Sequence, residues 1–248
     1  TNQTRTMVRY ISNLISLMKI IKKKIIAIGG GGFTHSTDKI LDEFIIKQKN
    51  KKKIKLGFLP TASKDSPSKI ETFYKGLRNY NLELSHFELC SSINGFSDWT
   101  KDKDIIYVGG GNTYFMLKLW WENKLDKVFN DAYNAGIILS GVSAGAVCWF
   151  EWILSDSLGE GYKPLKGMNF ISGSCTPHAS EINRMSKFEA NINNKKIPPG
   201  IAIDDGVAVL FINGKPNSVC SSRKNRNAYF VNKNNRIILN DHIKKTNE

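Results

Sequence analysis

The chain has 248 residues, 41% hydrophobic and 23% charged, with 20 Gly and 7 Pro. That is the composition of an ordinary globular protein, and it excludes collagen-like, mucin-like and globally disordered chains. Nowhere do about 18 apolar residues run together, which excludes a membrane-spanning helix. Lysine and arginine total 36 against 22 acidic residues, a net charge of +14. Such an excess invites a nucleic-acid or acidic-substrate reading. The lysine clusters, however, lie at 47–55 and at the C-terminus, away from the motifs below and without interleaved aromatics. Neither nucleic acid nor membrane is therefore an expected partner.

Residues 1–17 carry Arg5, Arg9 and a short apolar stretch, and the strongest positive run, Lys22-Lys23-Lys24, follows that stretch rather than preceding it. This order is not that of a secretory leader. Residues 1–17 are read as an extension outside the fold, with Met18 as a natural start and 18–248 as a single α/β domain. Strands are predicted at 25–28, 54–59, 84–89, 104–108 and 137–139, with helical spacing at 38–48, 68–80 and 113–134 between them. Continuous apolar strands separated by helices mean a mostly parallel open sheet covered on both faces. The last third changes character. Short runs at 170–172, 201–203, 207–212, 218–220, 229–231 and 237–239, with turns such as Asn213-Gly214, predict mixed or antiparallel strands extending that sheet. Residues 155–168 and 191–199 read as long loops.

Cys90, Cys148, Cys175 and Cys220 form no C-x-x-C pair, so they are expected as free thiols in a reducing, cytoplasmic setting. Cys175 and His178 make a C-x-x-H without two further ligands nearby, and no metal or other cofactor is expected.

The sharpest signal is Gly141-Val142-Ser143-Ala144-Gly145, a G-x-S-x-G between a predicted strand and a predicted helix. Small residues on both sides allow a tight turn that projects the serine, and the following helix start offers amides to a developing oxyanion. A serine nucleophile needs a base, and the chain offers His35, His86, His178 and His242. His86 lies inside a strand pattern and reads as structural. His178 follows a strand, at the end where an open parallel sheet gathers its ligand groups. The orienting carboxylate is then Asp204 or Asp205, after the strand at 201–203. An α/β-hydrolase order would instead use Ser143, Asp204 or Asp205, and His242. A second cluster, Gly109-Gly110-Gly111-Asn112-Thr113, sits between strand and helix. Its amides can complete an oxyanion hole with that of Ala144, and Thr113 is placed to cap the next helix. The first cluster, Gly29–Gly32, lacks the spacing of a dinucleotide loop.

Taken together, Gly109–Thr113, Leu139–Cys148 with Trp149, Phe150 and Glu151, Thr176-Pro177-His178 and Gly200–Ala208 resemble the peptidase E and cyanophycinase family of serine peptidases. The resemblance spans about 22–239. It implies a fold similar to class I glutamine amidotransferases, with Ser143 as nucleophile, His178 as base and Asp205 as orienter, although family members often carry Glu near that position. It also implies Gly110 or Gly111 with Ala144 as the oxyanion hole, and Asn112 and Thr113 against the substrate. The best known members cut after aspartyl residues, so a cation is expected at the site, and Arg184 is the nearest arginine after His178. The expected function is a dipeptidase-type serine exopeptidase. A small peptide is its expected partner, with a homodimer left open. The alternative from another class is an inactive relative that binds a small metabolite or a partner protein.

Overall fold

The computed structural model describes residues 22–240. The extension expected at 1–17 and His242 lie outside these residues. Among these described residues, thirteen strands form two sheets. The first is built around β1 (Lys24–Ile28), β2 (Ile54–Leu59), β3 (Leu82–His86), β4 (Ile105–Val108) and β5 (Ile138–Val142). These five run parallel in the order β1-β5-β4-β2-β3. β10 (Val207–Ile212) and β11 (Lys215–Ser221) add antiparallel strands beyond β1. The central strands are buried almost without interruption because apolar residues cover both faces. Along β1, Ile25 and Ala27 enter one core while Ile26 and Ile28 enter the core on the opposite face, the two-residue period of a strand.

Helices α1 (Lys39–Ile46) and α2 (Pro67–Leu77) contribute Leu41, Ile45, Phe73 and Leu77 to the second of those cores. The short α3 (Phe96–Lys101) adds Phe96 to the first core. The helical pattern at 113–134 divides into α4 (Thr113–Glu122) and α5 (Leu125–Asn134), separated by Lys124 at a left-handed φ of 55°. Each half turns its own face inward, Met116, Leu117 and Trp120 from α4 and Phe129, Ala132 and Tyr133 from α5.

The expectation of one extended sheet is corrected in its last third. Only β10 and β11 extend the first sheet. A second, six-stranded sheet runs β13-β12-β9-β8-β6-β7. Its members are β6 (Phe150–Ser155), β7 (Lys163–Lys166), β8 (Ile171–Thr176), β9 (Gly200–Ile203), β12 (Ala228–Asn232) and β13 (Asn235–Ile238). β6, β8 and β9 are parallel, and antiparallel β7, β12 and β13 flank them. One face shares the large core through Phe150, Ile153, Cys175, Ile201 and Ile203. The other is covered by α7 (Ile182–Asn193) through Met185, Phe188 and Ile192. The loop expected at 155–168 thus contains β7, and the loop expected at 191–199 begins inside α7. Both elements are held by tertiary partners rather than by local pattern.

Candidate active site

β5 ends against Ser143, which starts the single helical turn α6 (Ala144–Val147). Ser143 has φ 53° and ψ −114°, a backbone conformation that L-residues avoid. Three bonds hold it there. Its amide donates to the Ile28 carbonyl at 2.9 Å, and its carbonyl accepts from Ala146 and Val147 at 3.0 and 3.1 Å. The flanking glycines answer to close approach. A Cβ on Gly141 would lie 2.4 Å from the Gly145 carbonyl oxygen, and one on Gly145 would lie 2.1 Å from that of Val108. The G-x-S-x-G spacing is therefore a packing requirement of the turn against β4.

His178 follows β8, also at a positive φ, of 51°. Its Nε2 lies 2.9 Å from Ser143 Oγ, and its Nδ1 lies 2.6 Å from Asp205 Oδ1. With Asp205 ionised, Nδ1–H donates to it and Nε2 is left to accept from the serine hydroxyl. The His178 bond holds the Asp205 carboxyl below the usual carboxylate range, against the opposing effect of burial, with Arg223 adding positive charge nearby. Asp204, its neighbour, turns the other way. It is buried and accepts from the Asn227 amide at 2.9 Å. Glu181 sits before α7; its amide donates to the His178 carbonyl at 3.0 Å, but its carboxylate meets Tyr162 and Arg184 rather than the imidazole.

Asp205 is seated by a glycine that the sequence reading passed over. Gly30, after β1, bridges to Asp205, and its carbonyl accepts from the Gly206 amide at 2.8 Å. A Cβ on Gly30 would lie 2.0 Å from Asp205 Oδ1 and 3.1 Å from His178 Cε1. The first glycine run thus makes room for the carboxylate and imidazole. The only sequence signal was the run itself, since its contact partner lies some 175 residues away along the chain. Behind it, Asp38 is bonded by Arg223 and by the Ser222 hydroxyl, which ties this loop to the segment after β11.

The second glycine cluster passes beside the serine. A Cβ on Gly110 would lie 3.3 Å from Ser143 Cβ and 3.8 Å from its Oγ. On either side, the Gly109 amide donates to Leu59 and the Asn112 amide to Ala62. Asn112, not Thr113, caps α4, its Oδ1 accepting from the Phe115 amide at 2.8 Å. Thr113 is buried as the first helical residue and lines a cavity beside Ser143. Arg184 lines the same cavity from α7. It is not a free surface cation. Its side chain is 5% exposed, bonded to Asp156 at 2.8 Å and to Glu181 at 3.3 Å, and its guanidinium lies over the Tyr162 ring.

Of the remaining histidines, His86 bonds the Tyr74 hydroxyl through Nδ1 at 2.8 Å, as a structural residue, and His35 lines a second cavity beside Ser143. Cys148 and Cys175 are free and buried, and burial raises both thiols well above their ordinary value. Among the described residues no group of three or more His, Cys, Asp or Glu could hold a metal ion. Nor is any helix among them long and apolar enough to cross a membrane.

A two-sheet α/β fold with a serine on a strained strand-to-helix turn, hydrogen-bonded to histidine, is the architecture of a serine hydrolase. The model of peptidase family S51 matches residues 25–219. The chain belongs to that family and is a serine peptidase. It is 40% identical over 212 residues to the uncharacterized peptidase YgaJ of Bacillus subtilis (strain 168), covering 84% of this chain and 92% of that one. Two solved structures share the fold. A putative peptidase E protein from Listeria monocytogenes EGD-e matches with a TM-score of 0.60 at 20% identity, over 81% of this chain and 98% of its own. A peptidase from an acI-B1 Actinobacterium matches with a TM-score of 0.62 at 15% identity, over 88% and 97%.

Proposed function

We propose that this chain is a dipeptidase-type exopeptidase that cleaves small peptides through an acyl-enzyme formed on Ser143. Ser143 Oγ attacks the scissile carbonyl while His178 Nε2 takes the hydroxyl proton. Asp205 holds the imidazole in the required tautomer and stabilises the imidazolium that forms. The carbonyl electron pair moves onto oxygen, where amides of Gly110 or Gly111 and of Ala144 receive it. Collapse of this intermediate breaks the C–N bond, and His178 returns its proton to the departing amine. Water, deprotonated by the same imidazole, then attacks the ester, and Ser143 leaves as a hydroxyl. The observation that carries this reading is the pair of hydrogen bonds running from Ser143 through His178 to Asp205. Asn112 serves the site by capping the helix beside it.

The test is labelling by a serine-directed fluorophosphonate at neutral pH, with the adduct located by peptide mass mapping. Modification of Ser143, absent from Ser143→Ala, is the expected result. No labelling of the folded protein would overturn the reading and leave a relative that binds without turnover. Cleavage after aspartyl residues is read separately, from relative rates on Asp-X, Glu-X and X-X dipeptides.

A further inference from the structure

Among the described residues the Asp205 carboxylate accepts one hydrogen bond, from His178. Its aim is therefore set by the backbone around it. Two glycine turns meet there. The Gly206 amide donates to the Gly30 carbonyl at 2.8 Å, beside the bridge from Gly30 to Asp205. Gly31 and Gly206 have φ of 102° and 78°, in the region that favours glycine. One charged side chain lies against each of them. A Cβ on Gly31 would lie 2.4 Å from Asp38 Oδ2, and one on Gly206 would lie 2.7 Å from Arg223 Cδ. These two side chains are joined to each other. Arg223 donates from Nε to Asp38 Oδ1 at 2.9 Å and from Nη2 to Oδ2 at 2.6 Å, the fork that fixes an arginine against a carboxylate. The Ser222 hydroxyl, 2.6 Å from Asp38 Oδ1 and 3.0 Å from the Gly206 carbonyl, closes the ring of contacts.

Asp38 stands immediately before α1, where an aspartate ordinarily caps the helix. Its side chain makes no such cap. Its backbone is left-handed at φ 56°, and its carboxylate, 7% exposed, is turned to Arg223 instead. The Arg223 charge also reaches past its partner. After the bond from His178, it helps to hold the Asp205 carboxyl below its usual range. Asp38 carries the opposite charge, so an imidazolium on His178 faces a balanced pair rather than a lone guanidinium. The other titratable groups about the imidazole are His35 and Lys69 across one cavity, and Arg184 with Asp156 and Glu181 across the other.

Resting on the acyl-enzyme reading above, we propose that Asp38 and Arg223 are positioning residues for Asp205. Their ion pair staples together the two glycine turns beside the carboxylate and so fixes its aim at His178. Through two opposed charges, the same pair sets the pH at which His178 acts as base. Neither residue touches the reacting atoms, and both act through Asp205 and the imidazole.

The experiment measures the second-order rate of fluorophosphonate labelling at Ser143 from about pH 5 to about pH 8, the range in which a histidine titrates. It needs no assigned substrate. The rate should rise through an acid limb to a plateau as His178 loses its proton. Arg223→Met leaves Asp38 anionic on the Ser222 and Thr37 hydroxyls. That favours the imidazolium, so the limb should move up by about 0.5–1 pH unit. Asp38→Asn leaves the guanidinium uncompensated, and the limb should move down by a similar amount. The double variant should return the limb to its parental position. In all three the plateau should fall about ten- to hundredfold, because the staple is lost. Arg223→Lys keeps the charge without the fork, so its limb should stay in place above an intermediate plateau. A general loosening of the fold does not move the limb in opposite directions. A lower plateau with an unmoved limb, or with both single variants shifted the same way, would make the pair a structural tie and overturn the inference. Unchanged labelling throughout overturns it too, and leaves the peptidase reading standing. Unlabelled wild-type Ser143 overturns both. Should Asp38→Asn not fold, Arg223→Met against Arg223→Lys, at a side chain 41% exposed, still decides.

Discussion

Ser143 occupies a backbone conformation whose cost is of order 1–3 kcal/mol for a non-glycine residue, and the bonds to Ile28, Ala146 and Val147 hold it there. Ser143→Ala retains that strain and should fold as the parent does, with turnover lower by about 10³ or more. Ser143→Gly should be equally inactive yet more stable by about 1 kcal/mol in denaturant titration. Inactivity with unchanged stability in the glycine variant would show that the turn is not strained. Asp205 and Asp204 separate in the same way. Asp205→Asn leaves His178 without its anion and should cost about 10²–10⁴ in kcat. Asp204→Asn, whose carbonyl can still accept from Asn227, should be much milder, so equal small losses in both would remove Asp205 from the mechanism. Asp42 bears on stability instead. Burial pushes its carboxyl up to about 7, against the opposing bond from the Phe33 amide, whereas an unfolded aspartate titrates near 3.9. Between those values the unfolded chain has released a proton that the folded chain keeps, so stability falls as pH rises from about 4 to 7. The loss is at most about 4 kcal/mol, and in Asp42→Asn the slope of unfolding free energy against pH should flatten over that window.

Elements deliver these groups because glycines let them approach. β1 reaches Asp205 only where Gly30 has no side chain. Gly30→Ala should therefore displace the carboxylate from His178, lowering kcat by about the factor of Asp205→Asn, 10²–10⁴, while far-ultraviolet circular dichroism stays native. Gly145→Ala is a different lesion, since its methyl would press on the Val108 backbone. There the strand-to-helix turn itself must shift, and loss of stability by more than about 1–3 kcal/mol should accompany loss of activity. A gently destabilised, fully active Gly145→Ala would contradict the packing described for this turn. The glycines around Ser143 showed their duty in the sequence, but that of Gly30 was not visible. A run shows that side chains are missing, whereas only the partner strand shows what fills the space.

Across the whole molecule, the two sheets divide the site. Ser143 and Gly30 come from the first, while His178 and Asp205 end strands of the second. Their registration depends on the core between them, where Phe150 of the second sheet meets Phe211 of the first, ring centres 5.4 Å apart. Phe150→Ala should cost about 3–5 kcal/mol. Because both sheets share that core, activity and circular dichroism should still be lost in one transition. Separate transitions would show that the sheets unfold independently.

The sequence alone determined what rests on neighbours within a few positions. The tight turn around Ser143 follows from two glycines and an alanine within five residues, and the buried parallel strands follow from unbroken apolar runs. The parallel core and the order Ser143, His178, then Asp204 or Asp205 were therefore legible along the chain. Tertiary structure decided what rests on distant partners: that the last third forms a second sheet, that Arg184 is already neutralised, that Gly30 underlies the carboxylate, and which aspartate meets the imidazole. Alternation along the chain placed Asp204 and Asp205 on opposite faces. Only the position of His178, at the end of a strand paired with β9, decided which face looks onto Ser143.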